Sequence, residues 1–225
     1  PGASIDVLIA IAEQCFYNEY VFFVSDEETQ ALNRLENKVT KSLAIGDELQ
    51  PEDIALYAAY SRLVDMTGFT ESIAQNYAAR HPVLSSLILH QVIEPLAERG
   101  IIPSIPSIGE ISNDISQDVR AQYEENPFPR WRHPGETLTF NFKNYLRAFM
   151  PEQALTSKNY ASAPKILVAG CGTGRHPINV ARGIENSHVL AVDLSRASIA
   201  YGWRKAQEYG VSNVEFKHAD ILSLD

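Results

Sequence analysis

The chain has 225 residues, 45% of them hydrophobic and 21% charged, with 12 glycines and 12 prolines; this is globular composition and excludes disordered and collagen-like chains. Its length suits two modest domains. Residues 1–120 carry 7 basic and 18 acidic side chains and residues 121–225 carry 12 and 10, so the first half repels phosphate backbones, and no basic run elsewhere offers a nucleic-acid footprint.

The longest apolar stretch, Val7 to Val24, is interrupted by Glu13, Gln14, Asn18 and Glu19, which makes it costly as a bilayer span. It also lacks the basic leader and cleavage site of an exported chain, and the expected location is cytoplasmic. Cys15 and Cys171 are too far apart in sequence for a metal-ligand cluster or a disulfide framework, which agrees with a reducing compartment.

Ser25-Asp26-Glu27-Glu28 reads as a capping box, opening a helix that stops at Gly46. Pro51 suits a first helical turn, and Ile54, Tyr57, Ala58, Ser61, Leu63 and Val64 form a helical stripe toward Gly68. A fourth helix is expected from about Thr70 to Arg80, before Pro82. Val83–Arg99 is apolar at Leu84, Leu87, Ile88, Val92, Ile93 and Leu96, predicting one helix interrupted at Pro95 and ended by Gly100. Residues 1–116 are therefore expected to form an all-α domain, without a recognisable repeat of 30–45 residues. Its last part, Ile101–Ser116, is expected to be an apolar loop punctuated by Pro103, Pro106 and Gly109.

Residues 117–163 read as a connecting segment: a helix over Asp118–Glu125, an extended or turned Asn126-Pro127-Phe128-Pro129-Arg130-Trp131, and a helix over Phe140–Met150. At Lys165 the pattern changes. Lys165–Ala169 is a β-rich run, Gly170-Cys171-Gly172-Thr173-Gly174 is a glycine turn, and Ile178–Arg182 has helical character. Such a turn lets backbone approach a ligand with no Cβ in the way, at the start of a helix with free N–H groups.

A second strand, His188–Val192, ends in Asp193, 19 positions after Gly174, where a carboxylate can accept from both hydroxyls of a ribose. Ser195 caps a helix from Arg196 to Tyr209, and a third strand, Val214–His218, leads to Ala219-Asp220-Ile221. The glycine turn, Asp193 and Asp220 then share the carboxyl edge of one sheet, where open α/β sheets bind ligands.

From Pro164 to Asp225 the sequence resembles class I S-adenosylmethionine-dependent methyltransferases. The resemblance implies an α/β C-terminal part, the N-terminal half of a Rossmann-like methyltransferase sheet with strand order 3-2-1, over residues 164–225. It implies S-adenosylmethionine as cofactor, with the turn Ala169, Gly170, Cys171, Gly172, Thr173 and Gly174 under its methionine part. Asp193 would hold the ribose, Leu194 would lie beside the adenine, and Asp220 would meet the adenine amino group with Ile221 alongside. The family often has an acidic residue two places before the first glycine; Val168 stands there, so the Ala169 or Gly170 carbonyl would have to receive the methionine ammonium.

Gln122 to Trp131 resembles a stretch just upstream of the methyltransferase domain in a group of bacterial proteins, several of which carry tetratricopeptide repeats. Its prolines could hold Tyr123, Arg130 or Trp131 over the cofactor as a lid; alternatively Phe128 and Trp131 dock the helical domain onto the sheet. The histidines at 81, 90, 133, 188 and 218 lack metal spacing and are read as structural, the pair Arg175-His176 as solvated, and Cys171 as a small residue chosen for fit.

The function expected is methyl transfer to a small molecule or protein acceptor, with no catalytic base named and no metal. A nicotinamide dehydrogenase would want its third glycine at 175, where Arg175 stands. A scaffold whose acidic half recruits a basic partner is the other alternative. The resemblance implies a seven-stranded sheet and the chain has sequence for three of those strands. Together with the absence of an initial methionine, this leads to the expectation of a catalytically incomplete fragment. The open edge of Lys165–Ala169 would be covered by a missing half, another segment or a second copy.

Overall fold

The computed structural model describes residues 4–109, 127, 129–150 and 160–223. The chain divides into two compact units, Pro1–Ala97 and Glu98–Asp225.

In the first unit α1 spans Ile5–Tyr17, α2 Asp26–Ile45, α3 Pro51–Ala58 and α4 Glu71–Arg80. The Ser25 hydroxyl accepts the Glu28 N–H and the Glu28 carboxylate accepts the Ser25 N–H, so both halves of the capping box are made. Gly46 closes α2 in the left-handed conformation at φ 74°. The stripe read as running past Ala58 is broken there. The Ala58 carbonyl accepts from the Gln91 amide (3.1 Å) and the Tyr20 hydroxyl (3.3 Å), and the chain re-forms only a short 3₁₀ turn at Leu63–Asp65.

The long helix expected over Val83–Arg99 is also irregular, though before Pro95 rather than at it. α5 (Ser85–Ile88) passes into a five-residue π turn, Leu89–Ile93, and then into α6 (Glu94–Ile101), with Gly100 inside its last turn. Proline lacks an N–H and its ring crowds the carbonyl four residues earlier, here that of Gln91, so the register widens over that carbonyl. Ile54, Leu63, Leu84, Leu87, Ile88 and Val92 fill the core of this unit.

The second unit is a parallel sheet of order β1-β4-β3-β2, in which β1 is Ser107–Ile108, β2 Lys165–Ala169, β3 His188–Asp193 and β4 Val214–Ala219. β1 is a correction to the loop expected over Ile101–Ser116. The His218 N–H donates to the Pro106 carbonyl (2.8 Å), and Pro106, having no N–H, prevents the ladder from running further back, which leaves a two-residue strand. Among the described residues no strand pairs with the outer edge of β2, where Leu167 is 55% exposed.

Three helices complete the described part of this unit: α7 (Phe142–Phe149), α8 (Arg175–Gly183) and α9 (Arg196–Glu208). Ile178, Val189, Ala191, Ile199 and Phe216 form its core. The helix read over Asp118–Glu125 lies outside the described residues.

Candidate functional site

β2, β3 and β4 deliver their carboxyl ends to one edge, because Ala169 is in register with Val192 and Asp193 with His218. Gly170-Cys171-Gly172-Thr173-Gly174 leaves β2 at that edge, and Asp220 leaves β4 two residues beyond the partner of Asp193. The sheet register therefore brings the glycine turn and both aspartates together.

The turn is held from inside. The Cys171 N–H donates to the Val192 carbonyl (2.9 Å), the Gly174 N–H to the Cys171 carbonyl (3.1 Å), and the Gly172 N–H to Asp193 Oδ2 (2.7 Å). Asp193 Oδ1 accepts the Ser195 N–H at 3.0 Å. One carboxylate thus ties the turn to the start of α9, and three turn amides are committed within the protein.

Gly170 and Gly172 have nothing within 4 Å of where a Cβ would stand, whereas a Cβ on Gly174 would meet the Gly202 Cα at 2.6 Å. The first two glycines face open space and the third permits the approach of α9. Asp220 is 2% exposed; its Oδ1 accepts the Leu222 N–H (2.9 Å), while Oδ2 is buried with no hydrogen-bond partner. Leu194 is half-buried, its carbonyl 3.0 Å from His218 Nε2, and the Ile221 side chain is 48% exposed.

A buried carboxylate oxygen without a donor, beside a turn with room above two glycines, is an arrangement that asks for a ligand carrying N–H or O–H groups. Residues 166–225 match the family described as a methyltransferase domain. An uncharacterised protein of Rickettsia prowazekii (strain Madrid E) is 32% identical over 111 residues, covering 49% of this chain and 42% of that protein. The chain thus spans less than half the length of this curated relative. Among solved structures, a SAM-dependent methyltransferase from Aquifex aeolicus is 26% identical over 34% of this chain and 42% of its own, with a TM-score of 0.26. The magnesium protoporphyrin IX methyltransferase of Synechocystis PCC 6803, solved with bound SAH, is 22% identical over 50% of this chain and 54% of its own, with a TM-score of 0.32.

Upstream of the matched residues, Arg130 and Trp131, read as lid side chains, are buried. Arg130 is buried, 3.9 Å from Glu98 Oε2, with its guanidinium 5.8 Å from the Tyr201 ring centroid. Arg204 Nε meets the other oxygen of Glu98 at 2.8 Å. Burial raises the Glu98 carboxyl above its ordinary range, and Arg204 and Arg130 pull it back. Trp131 is 5% exposed and packs on Tyr201 and Tyr209. Tyr123 and Phe128 lie outside the described residues. Among the described residues no group of three or more His, Cys, Asp or Glu could hold a metal ion, and no helix is long and apolar enough to cross a membrane.

Sequence reasoning missed Gly202, Ser107 and the part played by Thr173. Gly202 carried a signal, since a glycine inside a helix is unfavourable unless something packs against it. Ser107 did not; its Oγ lies 3.3 Å from His218 Nδ1 and accepts from Arg196 (2.6 Å), contacts that only the fold creates. A cavity of about 570 Å³ lies beside the starts of β3 and β4, lined by His188, Trp203 and Val214, and not at the edge bearing Asp193 and Asp220.

Proposed function

We propose that the edge formed by the glycine turn, Asp193 and Asp220 binds S-adenosylmethionine, and that the whole protein transfers its methyl group to a small molecule or protein. The observation carrying this reading is the pair of carboxylates at the edge of a turn that already commits the Cys171, Gly172 and Gly174 amides within the protein. Such a site wants donors and positive charge and repels anions. S-Adenosylmethionine brings two ribose hydroxyls, an adenine amino group and a sulfonium cation, and the residues fit it.

Asp193 keeps its bonds to Gly172 and Ser195 and offers its remaining lone pairs to the ribose hydroxyls. Asp220 Oδ2 accepts the adenine amino group, with Leu194 and Ile221 alongside the ring. The Ala169 or Gly170 carbonyl receives the methionine ammonium where Val168 replaces an acid. When bound, the cofactor supplies a methyl already activated by the sulfonium. The protein's own contribution is alignment of the reactants and exclusion of water.

A nicotinamide dinucleotide fits poorly, because the Asp193 carboxylate occupies the Gly172 N–H that a diphosphate would need. Calorimetric titration of the 225-residue chain tests the assignment. S-Adenosylhomocysteine is expected to bind and NAD not to, and Asp193→Ala to cost about 1–3 kcal/mol of affinity through loss of a charged acceptor. Preference for NAD, or an unchanged isotherm in the variant, overturns it.

A further inference from the structure

Thr173 has its hydroxyl and its main-chain carbonyl committed to residues more than forty positions upstream. Its hydroxyl donates to the Pro129 carbonyl at 2.7 Å, and its carbonyl accepts the Trp131 indole N–H at 3.1 Å. The backbone of Trp131 is fixed in turn by one phenol. The Trp131 N–H donates to the Tyr201 hydroxyl (2.9 Å), and that hydroxyl donates to the Trp131 carbonyl (2.5 Å). Tyr201 lies on α9, one residue before the Gly202 that packs on Gly174. Thr173, Trp131 and Tyr201 are all buried, which makes these bonds costly to lose.

We propose that Pro129–Trp131 is a clamp on the glycine turn, and that Trp131 and Thr173 are positioning residues for the nucleoside-binding edge. Three features support it. A turn with left-handed φ at Gly170, Gly172 and Gly174 has many alternative conformations, so holding one of them needs external constraints. Asp193 constrains the turn at Gly172 and α9 constrains it at Gly174. Thr173, between them, is constrained only from upstream among the bonds described. The flanking prolines suit the task, since Pro127 and Pro129 restrict the chain before it is clamped. Arg130 shares the anchorage through Glu98 and the Tyr201 ring, which removes it and Trp131 from the role of a lid.

As a statement about ligand affinity this rests on the S-adenosylmethionine reading; as a statement about the turn it does not, and the experiment separates the two. Three variants of the 225-residue chain serve: Trp131→Phe, which keeps a ring and deletes the donor; Thr173→Val, which keeps the shape and deletes the hydroxyl; and Thr173→Ser, which keeps the hydroxyl. Hydrogen exchange at the Gly172 and Gly174 amides is read without ligand, and S-adenosylhomocysteine affinity by titration.

The clamp predicts exchange about three- to tenfold faster in Trp131→Phe and Thr173→Val, affinity weaker by a similar factor, and both restored toward the wild type in Thr173→Ser. A residue that merely supports the fold would lower the melting temperature and leave native-state exchange at the turn unchanged; that result overturns the clamp. If the wild type binds no S-adenosylhomocysteine while exchange at the turn still follows this order, the cofactor reading fails and the clamp stands. Should Trp131→Phe not fold, the contrast between the two Thr173 variants decides.

Discussion

The two units bury polarity to different extents. Among the described residues the helical unit buries one polar side chain, Gln91, and the α/β unit buries ten. Gln91 is 0% exposed and fully paired: Oε1 accepts the Leu63 N–H (3.2 Å), and Nε2 donates to the Ala12 and Ala58 carbonyls at 3.3 and 3.1 Å. It joins α1, the end of α3 and the 3₁₀ turn at one point, with both amide hydrogens donated and the oxygen accepting. In the α/β unit Thr173, Ser195 and Asp220 bond backbone at the carboxyl edge of the sheet, and Asp220 Oδ2 keeps an unmet demand. Polar burial without a partner costs stability. His81 Nε2 in the helical unit is likewise buried without a hydrogen-bond partner, 3.8 Å from Glu48 Oε1, so what sets Asp220 apart is its place at the strand ends that also carry the glycine turn and Asp193.

The sharpest way to break the contrast is to damage each unit where its own logic is tightest. Gly174→Ala should have the largest effect, about 3 kcal/mol or more, because the new methyl meets backbone at 2.6 Å and the position needs φ 82°. Chemical denaturation should show the loss, and S-adenosylhomocysteine binding should vanish with it. An unperturbed unfolding curve would mean that α9 gives way freely. Gln91→Leu should cost the helical unit about 2–3 kcal/mol by deleting three buried hydrogen bonds and leaving the Leu63 N–H without its acceptor, while ligand binding by surviving folded protein stays unchanged. Weakened binding in that variant would show that the helical unit is more than a scaffold.

What could be read from the residues follows the range of the interactions involved. The β2–turn–α8 unit was legible because a short β-branched run, three close glycines and a helical stripe are local signals, and so was the capping box at Ser25. Asp193 and Asp220 were placed on one edge because parallel strands align their tips. β1 escaped, since two residues after a proline carry no period and pairing with β4 alone makes them a strand. The end of α3 at Ala58 was illegible for the same reason, since a tertiary bond from Gln91 decides it, whereas the π turn at Leu89–Ile93 falls just before the Pro95 at which an interruption was read. Thr173 was read as one residue of the turn under the cofactor, and its bonds to Trp131 and Pro129 left no local signal because those partners lie 42 and 44 positions away.

Asp220→Asn sharpens the comparison at intermediate size. The bond from the Leu222 N–H can persist on the amide oxygen, while the unpartnered oxygen becomes a donor. Stability should stay within about 0.5 kcal/mol of the wild type or rise, and affinity for S-adenosylhomocysteine should fall about tenfold as two donors face each other. Differential scanning calorimetry with a parallel titration reads both. A loss of stability comparable to that of Gln91→Leu would make Asp220 a structural group like Gln91.

The smallest expected effect concerns Cys171. Burial pushes its thiol well above the ordinary cysteine range, and the Asp193 charge adds to the shift, so the folded turn keeps it protonated. An unfolded cysteine ionises near pH 8.5, and a folded pKa above that value means the contribution is complete below pH 8.5 and declines as pH rises toward the folded value. From pH 8 to 9.5 the wild type should therefore lose about 1 kcal/mol more stability than Cys171→Ala, a difference that also cancels the smaller burial shift of Cys15. Iodoacetamide at pH 9 should label half-buried Cys15 ahead of Cys171 in the native chain. Equal labelling would mean the turn opens on the timescale of the reaction, and a turn that opens so readily would be too weakly held by Asp193, α9 and Trp131 to present a fixed edge to any ligand.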